Sequence, residues 1–514
     1  MNKWFPILML LALIAGIALR VPHLADRPLH HDEANQAYRF GQLLEGGTYE
    51  YDAEDHHGPT LYYLTLPITF ATASRTFADT SEYTFRSLPV IFGLLLILAI
   101  PLLRCGIGTT AVLATALFTA ISPAMAYYSR FYIQETLLVF FTFTALAAGW
   151  RSIKIGSKTW AVVAGLSIGL MYATKETSIL AFAAMFGATV LCALMAHITH
   201  FPLKNMVLGF LCALLIAFVL YSSFFTHMQG PMDSVLAYKG YLARGTGVET
   251  EHVHPWHFYL RMLTWYRFDG GPVWSEGLFL GFGLFGCISI LRKKLPHTMD
   301  LGLARFLMFY TLLLTLAYSL IAYKTPWCML SFLHGWILLA GIGVASLLDC
   351  CQGKITIPSA VLAVRGLIIL LLIGPAYTTY RMAERAVFRY AADYRNPYVY
   401  AHTAPDFKRM VRRISELEAV HEKGSSMYVQ VIAPPDSTWP LPFYLRRFPN
   451  VGYWTEADQV PGKVKPALVI AGPDFETDED KFVSEFYGLR AGTLLSIHID
   501  RALWDKFIAS RTAM

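Results

Sequence analysis

The sequence predicts an α-helical polytopic membrane protein of about eleven transmembrane helices, followed by a small α/β domain outside the membrane. Three observations predict it. The 514-residue chain is 55% hydrophobic and 15% charged, with a mean hydropathy of +0.44; a soluble domain carries about a quarter charged residues. Apolar runs long enough to cross a bilayer core, roughly 20 residues as a helix, recur up to residue 378. Beyond Arg381 the runs stop and the composition turns soluble. The net charge of +6 is sorted by side of the membrane, so it reads as a topology signal and not as a nucleic-acid footprint. The seven cysteines lie in or beside the predicted spans and none follows Arg381, which leaves no disulfide framework.

Lys3 followed by Trp4 to Leu19 has the outline of a signal peptide, but no small-x-small cleavage site comes after it. It reads as an uncleaved first span over 4–21. A first outer loop, 22–83, follows. Within it residues 60–78 are apolar but interrupted by Pro67 and bounded by Arg75 and Asp79, the pattern of an interfacial or re-entrant helix. Further spans fall at 84–103, 109–127, 133–150, 159–174, 177–196, 205–225, 274–291, 304–323, 327–348 and 357–378. A second long outer loop, 226–273, carries His252, His254, His257, Arg261 and Arg267 and is long enough to close over a substrate.

Residues 1–380 thus form a transmembrane domain and 381–514 a soluble one. The soluble part reads as a charged amphipathic helix over 405–423, strands at Met427 to Ala433, Val451 to Trp454, Ala467 to Ala471 and Leu494 to Ile499, and a helix near 478–487. Alternating strands and helices imply a small α/β domain. It contains no glycine-rich phosphate loop.

Charge sets the orientation. With the N-terminus inside, the inner connections hold Arg104, Arg151, Lys154, Lys158, Lys204, Arg292 to Lys294 and Lys354, against the carboxylates Asp300 and Asp349. The outer connections hold Asp32, Glu33, Glu45, Glu50, Asp52, Glu54, Asp55, Glu135, Glu176, Asp233, Glu249, Glu251 and Asp269. Basic inner loops are the expected bias. This orients the chain with its N-terminus cytoplasmic and its C-terminal domain extracytoplasmic.

The stretch LHHDEANQAYRFGQLLEGGTYEYDAEDHHGPTLYY, Leu29 to Tyr63, is the most polar in the first third of the chain. Three later junctions bring charges to the same side: Arg130 and Glu135 in YYSRFYIQET, Lys175 and Glu176 in YATKETS, and Lys324 in YKTPW. Each alone suits a snorkelling side chain or a helix-end ion pair. Together, at headgroup level, they suit a lipid-linked phosphate, with Arg and Lys pairing the phosphate and a carboxylate taking a proton from an attacking hydroxyl. Asp32 is the candidate base and Glu33 the neighbour that orients it. Asp32 also precedes a helix-forming run and suits an N-cap, a compatible role. Tyr127, Tyr128 and Tyr132 read as interfacial aromatics, with sugar stacking as the alternative.

These residues resemble the integral-membrane glycosyltransferases of the GT-C fold, the protein O-mannosyltransferase and aminoarabinose transferase superfamily. The acidic pair Asp32 and Glu33, the segment HHGPTLYY (56–63) and the turn SRFYIQET (129–136) carry the likeness over residues 5–380. HHDEA, KET, YKTPW and WPLPFYLRR (439–447) further resemble a prokaryotic subfamily described as flippase-activity-associated. The resemblance implies transfer of a sugar from a polyprenyl-phosphate donor to a protein, lipid or glycan acceptor outside the cytoplasm, usually with inversion, and no nucleic-acid partner. Asp32 is then the base with Glu33 in support. Arg130, Lys175 and Lys324 are candidate donor-phosphate ligands, Glu135 holds Arg130 or meets the acceptor, and Glu176 and His57 join the substrate-binding set. No cofactor is required. A divalent metal is the alternative, with His31, Asp32 and His56 as candidate ligands, although the spacing matches no closed zinc motif. Two other readings stay open: a non-catalytic flippase-associated or transport protein, and a membrane-anchored scaffold whose outer domain does the work.

Overall fold

The computed structural model describes residues 4–53, 57–196, 202–245, 252–350, 358–462 and 464–512. In chain order the membrane part runs α1 (Trp4–Arg20), α2 (His31–Gly46), α3 (Thr60–Ala71), α4 (Glu82–Ala99), α5 (Arg104–Ile121), α6 (Pro123–Tyr128), α7 (Glu135–Ile155), α8 (Lys158–Tyr172), α9 (Ser178–Ala196), α10 (Leu203–Tyr221), α11 (Gly230–Gly245), α12 (Phe258–Thr264), α13 (Gly277–Leu291), α14 (Leu301–Leu320), α15 (Leu330–Cys350) and α16 (Pro358–Glu384). The chain is a multi-pass integral membrane protein. Among the described residues seven helical segments are long and apolar enough to cross a bilayer, and α1 and α13 are shorter but apolar.

One of the seven, Glu82–Ile121, is two antiparallel helices. Arg86, in the first turns of α4, donates to the carbonyls of Leu24 (2.6 Å) and Arg27 (2.8 Å), just beyond α1. Arg20, the last residue of α1, donates to the carbonyls of Thr119 (2.9 Å) and Ala120 (2.8 Å) at the end of α5. The start of α4 and the end of α5 therefore meet at one end of α1, and the chain reverses between them at Gly108 (φ 81°). Glycine enters that left-handed region without a Cβ clash.

α15 is the centre of the bundle, with 94% of its apolar stretch buried. It meets α13 at glycines: a Cβ at Gly343 would lie 2.0 Å from the Phe282 carbonyl oxygen, and one at Gly286 2.4 Å from that of Leu339. Small residues let two apolar helices approach this closely. Leu362–Arg389 is only 6% buried, so its apolar surface is left for lipid to cover. α3 is too short to cross, about 18 Å against a 30 Å core. Both of its flanks lie at one end of the bundle: Thr60 meets Ala173, and Phe77 meets Arg446 of the C-terminal domain.

Ala383, Ala386, Val387 and Tyr398 pack in the same core as the membrane helices. A second core begins at Phe407. The packing boundary therefore falls near residue 405 and not at 381, and the segment after α16 straps across the end of the bundle. The soluble domain continues with α17 (Asp406–Val420), β1 (Val429–Ile432), the short turns α18 (Pro435–Thr438) and α19 (Leu441–Tyr444), β2 (Val451–Trp454), β3 (Leu468–Ala471), β4 (Phe482–Arg490), β5 (Thr493–Asp500) and α20 (Arg501–Thr512). The sheet order is β2-β1-β3-β5-β4; β1 pairs parallel with β2 and β3, and β5 antiparallel with β3 and β4. The helix expected near 478–487 is strand β4. Its residues alternate, with Tyr487 and Leu489 in the core and Phe486 58% exposed, the period of a half-buried strand.

The domain docks on the loop between α1 and α4. Tyr444 Oη donates to Glu82 (3.0 Å) and accepts from the Leu29 amide (2.9 Å). Lys408 pairs with Glu82 at 3.1 Å, and Arg446 donates to the carbonyls of Phe77 and Thr80. The stretch WPLPFYLRR supplies much of this joint.

Candidate active site

The first turn of α2 separates its two carboxylates. The N-cap is His30, not Asp32: its Nδ1 accepts the Asp32 amide (3.0 Å) while Nε2 bonds the Tyr400 carbonyl (2.9 Å). Both bonds are met by the neutral tautomer with its proton on Nε2, and burial lowers the pKa of the ring. Glu33 completes a capping box by accepting the His30 amide at 2.9 Å. It is fully buried and also accepts from Arg86 Nε (2.7 Å), Arg86 Nη2 (2.6 Å), the Tyr132 amide (3.0 Å) and Arg27 (3.1 Å). Burial alone would raise its pKa, but the Arg27 and Arg86 charges and these hydrogen bonds outweigh that and hold it at about 2. Glu33 has no lone pair left for a substrate proton. It fastens α2 to α4.

Asp32 points elsewhere. Its side chain is 39% exposed, and its nearest charged-type partner is His30 Nδ1 at 3.8 Å, an atom that carries no proton in this tautomer. Among the described residues its carboxylate makes no ion pair with a Lys or Arg.

Lys175 and Glu176 occupy the turn between α8 and α9, both buried. Lys175 pairs with Glu135, whose second oxygen has no hydrogen-bond partner among the described residues. Glu176 accepts from Tyr51 Oη at 3.0 Å and faces His57 Nδ1 at 2.7 Å. Burial alone would raise the Glu176 pKa, but His57 and these bonds lower it. The segment His57 to Thr60 lies directly on this turn, since the Thr60 amide (3.1 Å) and Oγ1 (2.7 Å) both donate to the Ala173 carbonyl. Only glycine fits at 58, where a Cβ would stand 2.2 Å from that carbonyl oxygen.

Lys324 sits in the loop between α14 and α15. Two backbone bonds tie this loop to the middle of loop 226–273: Lys324 N to His252 O (2.9 Å) and His254 N to Ala322 O (3.1 Å). The ammonium is buried and donates to the carbonyls of Ile321 and His254; among the described residues no carboxylate pairs with it. Its neighbour Tyr323 lies within electrostatic reach of both Asp32 and Lys175. The loop thus links the free acid to the two lysines.

Arg130 does not join this group. Its guanidinium donates to the carbonyls of Arg20 (2.9 Å), Pro22 (2.6 Å) and His23 (3.0 Å), closing the end of α1. Glu135 therefore pairs with Lys175 and not with Arg130. Tyr127, Tyr128 and Tyr132 are buried: their hydroxyls bond Ala391 and His402, Tyr398, and Thr65. They form neither an interfacial belt nor an open stacking face. The His31 ring lies 5.9 Å from that of Trp439. His56, with Glu54 and Asp55, is outside the described residues. Among the described residues no three His, Cys, Asp or Glu side chains gather to hold a metal.

Sequence reasoning passes over four supports of this region: Arg27, Arg86, Tyr400 and His402. His402 is buried against His30 (4.9 Å) and Phe131 (5.2 Å). Arg86 carries a signal, a charge inside a predicted span. Tyr400 and His402 carry none, because the strap reads as the start of a soluble domain.

Comparison with known proteins agrees with this architecture. Residues 49–229 match the family model for dolichyl-phosphate-mannose-protein mannosyltransferase. No curated protein matches the chain in sequence. The chain is similar in structure to ArnT from Cupriavidus metallidurans bound to undecaprenyl phosphate, with a TM-score of 0.64 and 14% identity over 96% of this chain and 98% of that one. The apo form of the same enzyme gives 0.62 and 15% over 98% and 99%. Archaeal oligosaccharyltransferase AglB from Archaeoglobus fulgidus, in complex with an inhibitory peptide and a dolichol-phosphate, gives 0.59 and 14% over 96% and 74%. The sequence match is confined to residues 49–229, and over nearly the whole chain the fold is that of ArnT and AglB. The stretch contains His57, Arg130, Glu135, Lys175 and Glu176 and leaves out Asp32, Glu33 and Lys324.

Proposed function

We propose that this protein moves a sugar from a polyprenyl-phosphate donor to an acceptor hydroxyl at the outer face of the inner membrane, with inversion, and that Asp32 is the general base. One observation carries the reading: among the described residues, a carboxylate without a Lys or Arg partner stands on a helix N-terminus within electrostatic reach of Tyr323, in the loop that holds a buried lysine with no carboxylate paired to it. The acceptor hydroxyl hydrogen-bonds to Asp32 and passes its proton there as its oxygen attacks the anomeric carbon. The bond from that carbon to the phosphate oxygen breaks on the opposite face, and polyprenyl phosphate leaves with the electron pair. Lys324 meets the phosphate first, having no carboxylate to neutralise it among the described residues. Lys175, already paired with Glu135, adds a weaker field, and His57 is oriented toward the donor by Glu176. Glu33 acts on none of these atoms; it holds α2 in register.

In this reading α1, α4, α5, α7 to α10 and α13 to α16 span the membrane, eleven in all, with the N-terminus cytoplasmic and the C-terminal domain extracytoplasmic. The order HHDEA, HGPTLYY, KET and YKTPW supports a place in the prokaryotic flippase-activity-associated subfamily. The test is purified protein in lipid nanodiscs given labelled polyprenyl-phosphate sugars. The wild type consumes the donor, and Asp32→Asn falls about 10²- to 10⁴-fold, the usual worth of a general base. Normal turnover by Asp32→Asn removes Asp32 as the base. Donor left intact with every acceptor class removes the transferase reading.

A further inference from the structure

α2 presents one outward stripe along its whole length. His31, Asn35, Tyr38, Gln42 and Glu45 recur at steps of four and three, the period of a single helix face. All five are exposed or half-exposed, while Ala34, Ala37, Phe40 and Leu43 face the core.

Against this stripe stands the joint of the C-terminal domain. Trp439 bridges His31 and Tyr38, with its ring 5.9 Å from each. Tyr453, on the edge strand β2, lies within electrostatic reach of Tyr38. Tyr38 and Tyr453 are 40% and 41% exposed. Between them opens a cavity of about 250 Å³ whose walls include Glu45, Phe77 and Arg446. Pro449 and Val451 are shared with a second cleft of about 680 Å³ in the soluble domain, bordered by Tyr428, Asn450 and Trp454. The surface runs from Tyr453 past Tyr38 and Trp439 to His31 and the adjacent Asp32.

We propose that this groove holds the acceptor, and that the acceptor is an oligosaccharide chain whose terminal hydroxyl reaches Asp32. The inference rests on the transferase reading and adds the acceptor class to it. A sugar ring has an apolar C–H face and a rim of hydroxyls, so it is recognised by aromatic faces interleaved with amides and single charges. That is the composition here: Trp439, Tyr38 and Tyr453 between Asn35, Gln42 and Arg446. A lipid acceptor would need an apolar channel open to the bilayer, whereas this groove climbs away from the helices into the soluble domain. From His31 to Glu45 the helix rises roughly 21 Å, the reach of a short oligosaccharide and well beyond a single sugar.

The test uses full-length protein in detergent and a fixed panel of tetrasaccharides, β-1,4-linked N-acetylglucosamine, β-1,4-linked glucose and α-1,4-linked glucose, each against its monosaccharide, with binding read by calorimetry. At least one tetrasaccharide binds at least tenfold tighter than its monomer. Tyr38→Ala and Tyr453→Ala each weaken that binding at least fivefold. Both tyrosines are exposed, so an unchanged unfolding midpoint certifies the variants, and Gln42→Ala gives a third with the same expected direction. Consumption of labelled donor by water is measured alongside and stays at the wild-type rate in Tyr38→Ala and Tyr453→Ala. If no tetrasaccharide outbinds its monomer, or the tyrosine variants bind as the wild type does, the groove is not an oligosaccharide site, and the donor assay shows separately whether the transferase reading stands.

Discussion

Replacing Glu33 with Gln keeps the size of the side chain and removes the one charge that Arg27 and Arg86 share inside the protein. The cost follows from the site. The folded pKa is about 2 against an ordinary 4.5. Each tenfold change in proton affinity between the folded and unfolded chain is worth about 1.4 kcal/mol, so the carboxylate contributes about 3 kcal/mol at neutral pH. Removing one member of a buried pair costs about 3–5 kcal/mol, because the partner charges stay buried. Glu33→Gln is therefore expected to lose about 3–5 kcal/mol. Because the folded pKa is depressed, the contribution is complete above the unfolded pKa near 4.5 and drains away as pH falls toward about 2. The assay is the apparent unfolding midpoint in detergent, followed by tryptophan fluorescence at pH 7, 5, 4 and 3. The gap between wild type and Glu33→Gln is widest at pH 7 and 5 and narrows through pH 4 and 3. Asp32→Asn also deletes one negative charge, yet it stays within about 0.5 kcal/mol of wild type while losing turnover. A Glu33→Gln protein as stable as wild type, or an Asp32→Asn protein equally weakened, refutes the division of labour between the two carboxylates.

Two further outcomes test the scaffold around the phosphate. Gly58→Ala drives a methyl group to 2.2 Å from the Ala173 carbonyl oxygen; backbone cannot yield like a side-chain tip, so a loss of about 1–3 kcal/mol and a raised donor KM from a displaced His57 are expected in thermal and steady-state assays. Lys175→Met leaves Glu135 buried without its partner and costs about 3–5 kcal/mol; adding Glu135→Leu restores most of the stability but not donor affinity if Lys175 faces the phosphate, and recovery of both would make the pair purely structural.

The membrane architecture was legible because a bilayer admits few solutions. A spanning segment must satisfy its backbone internally and be apolar for about 20 residues, and helices stand where such runs occur. The short, Pro-interrupted stretch at 60–78 reads as an interfacial or re-entrant helix, and α3 is too short to cross. Packing across the chain was not legible. Nothing local in Tyr400 or His402 says that a strap from beyond the last membrane helix closes over His30. Nor does anything local in Arg130 say that its guanidinium is spent on the carbonyls ending α1. In a bundle crowded with helix ends an arginine serves carbonyls as readily as phosphates, because its donors are satisfied by either.

The neighbouring acids show the same limit at its finest grain. Side by side in sequence, Asp32 and Glu33 invite the reading of one unit, a base with its tuner. A helix turns about 100° at each residue, so adjacent side chains cannot share a face. Once His30 caps α2 and the apolar positions Ala34, Ala37 and Phe40 choose which side is buried, Glu33 is carried inward and can exist there only as the counter-ion of Arg27 and Arg86. Asp32 is carried outward by the same rotation. The exposed carboxylate is thus a consequence of the buried one: the ion pair that locks Glu33 inside is what holds Asp32 pointing out.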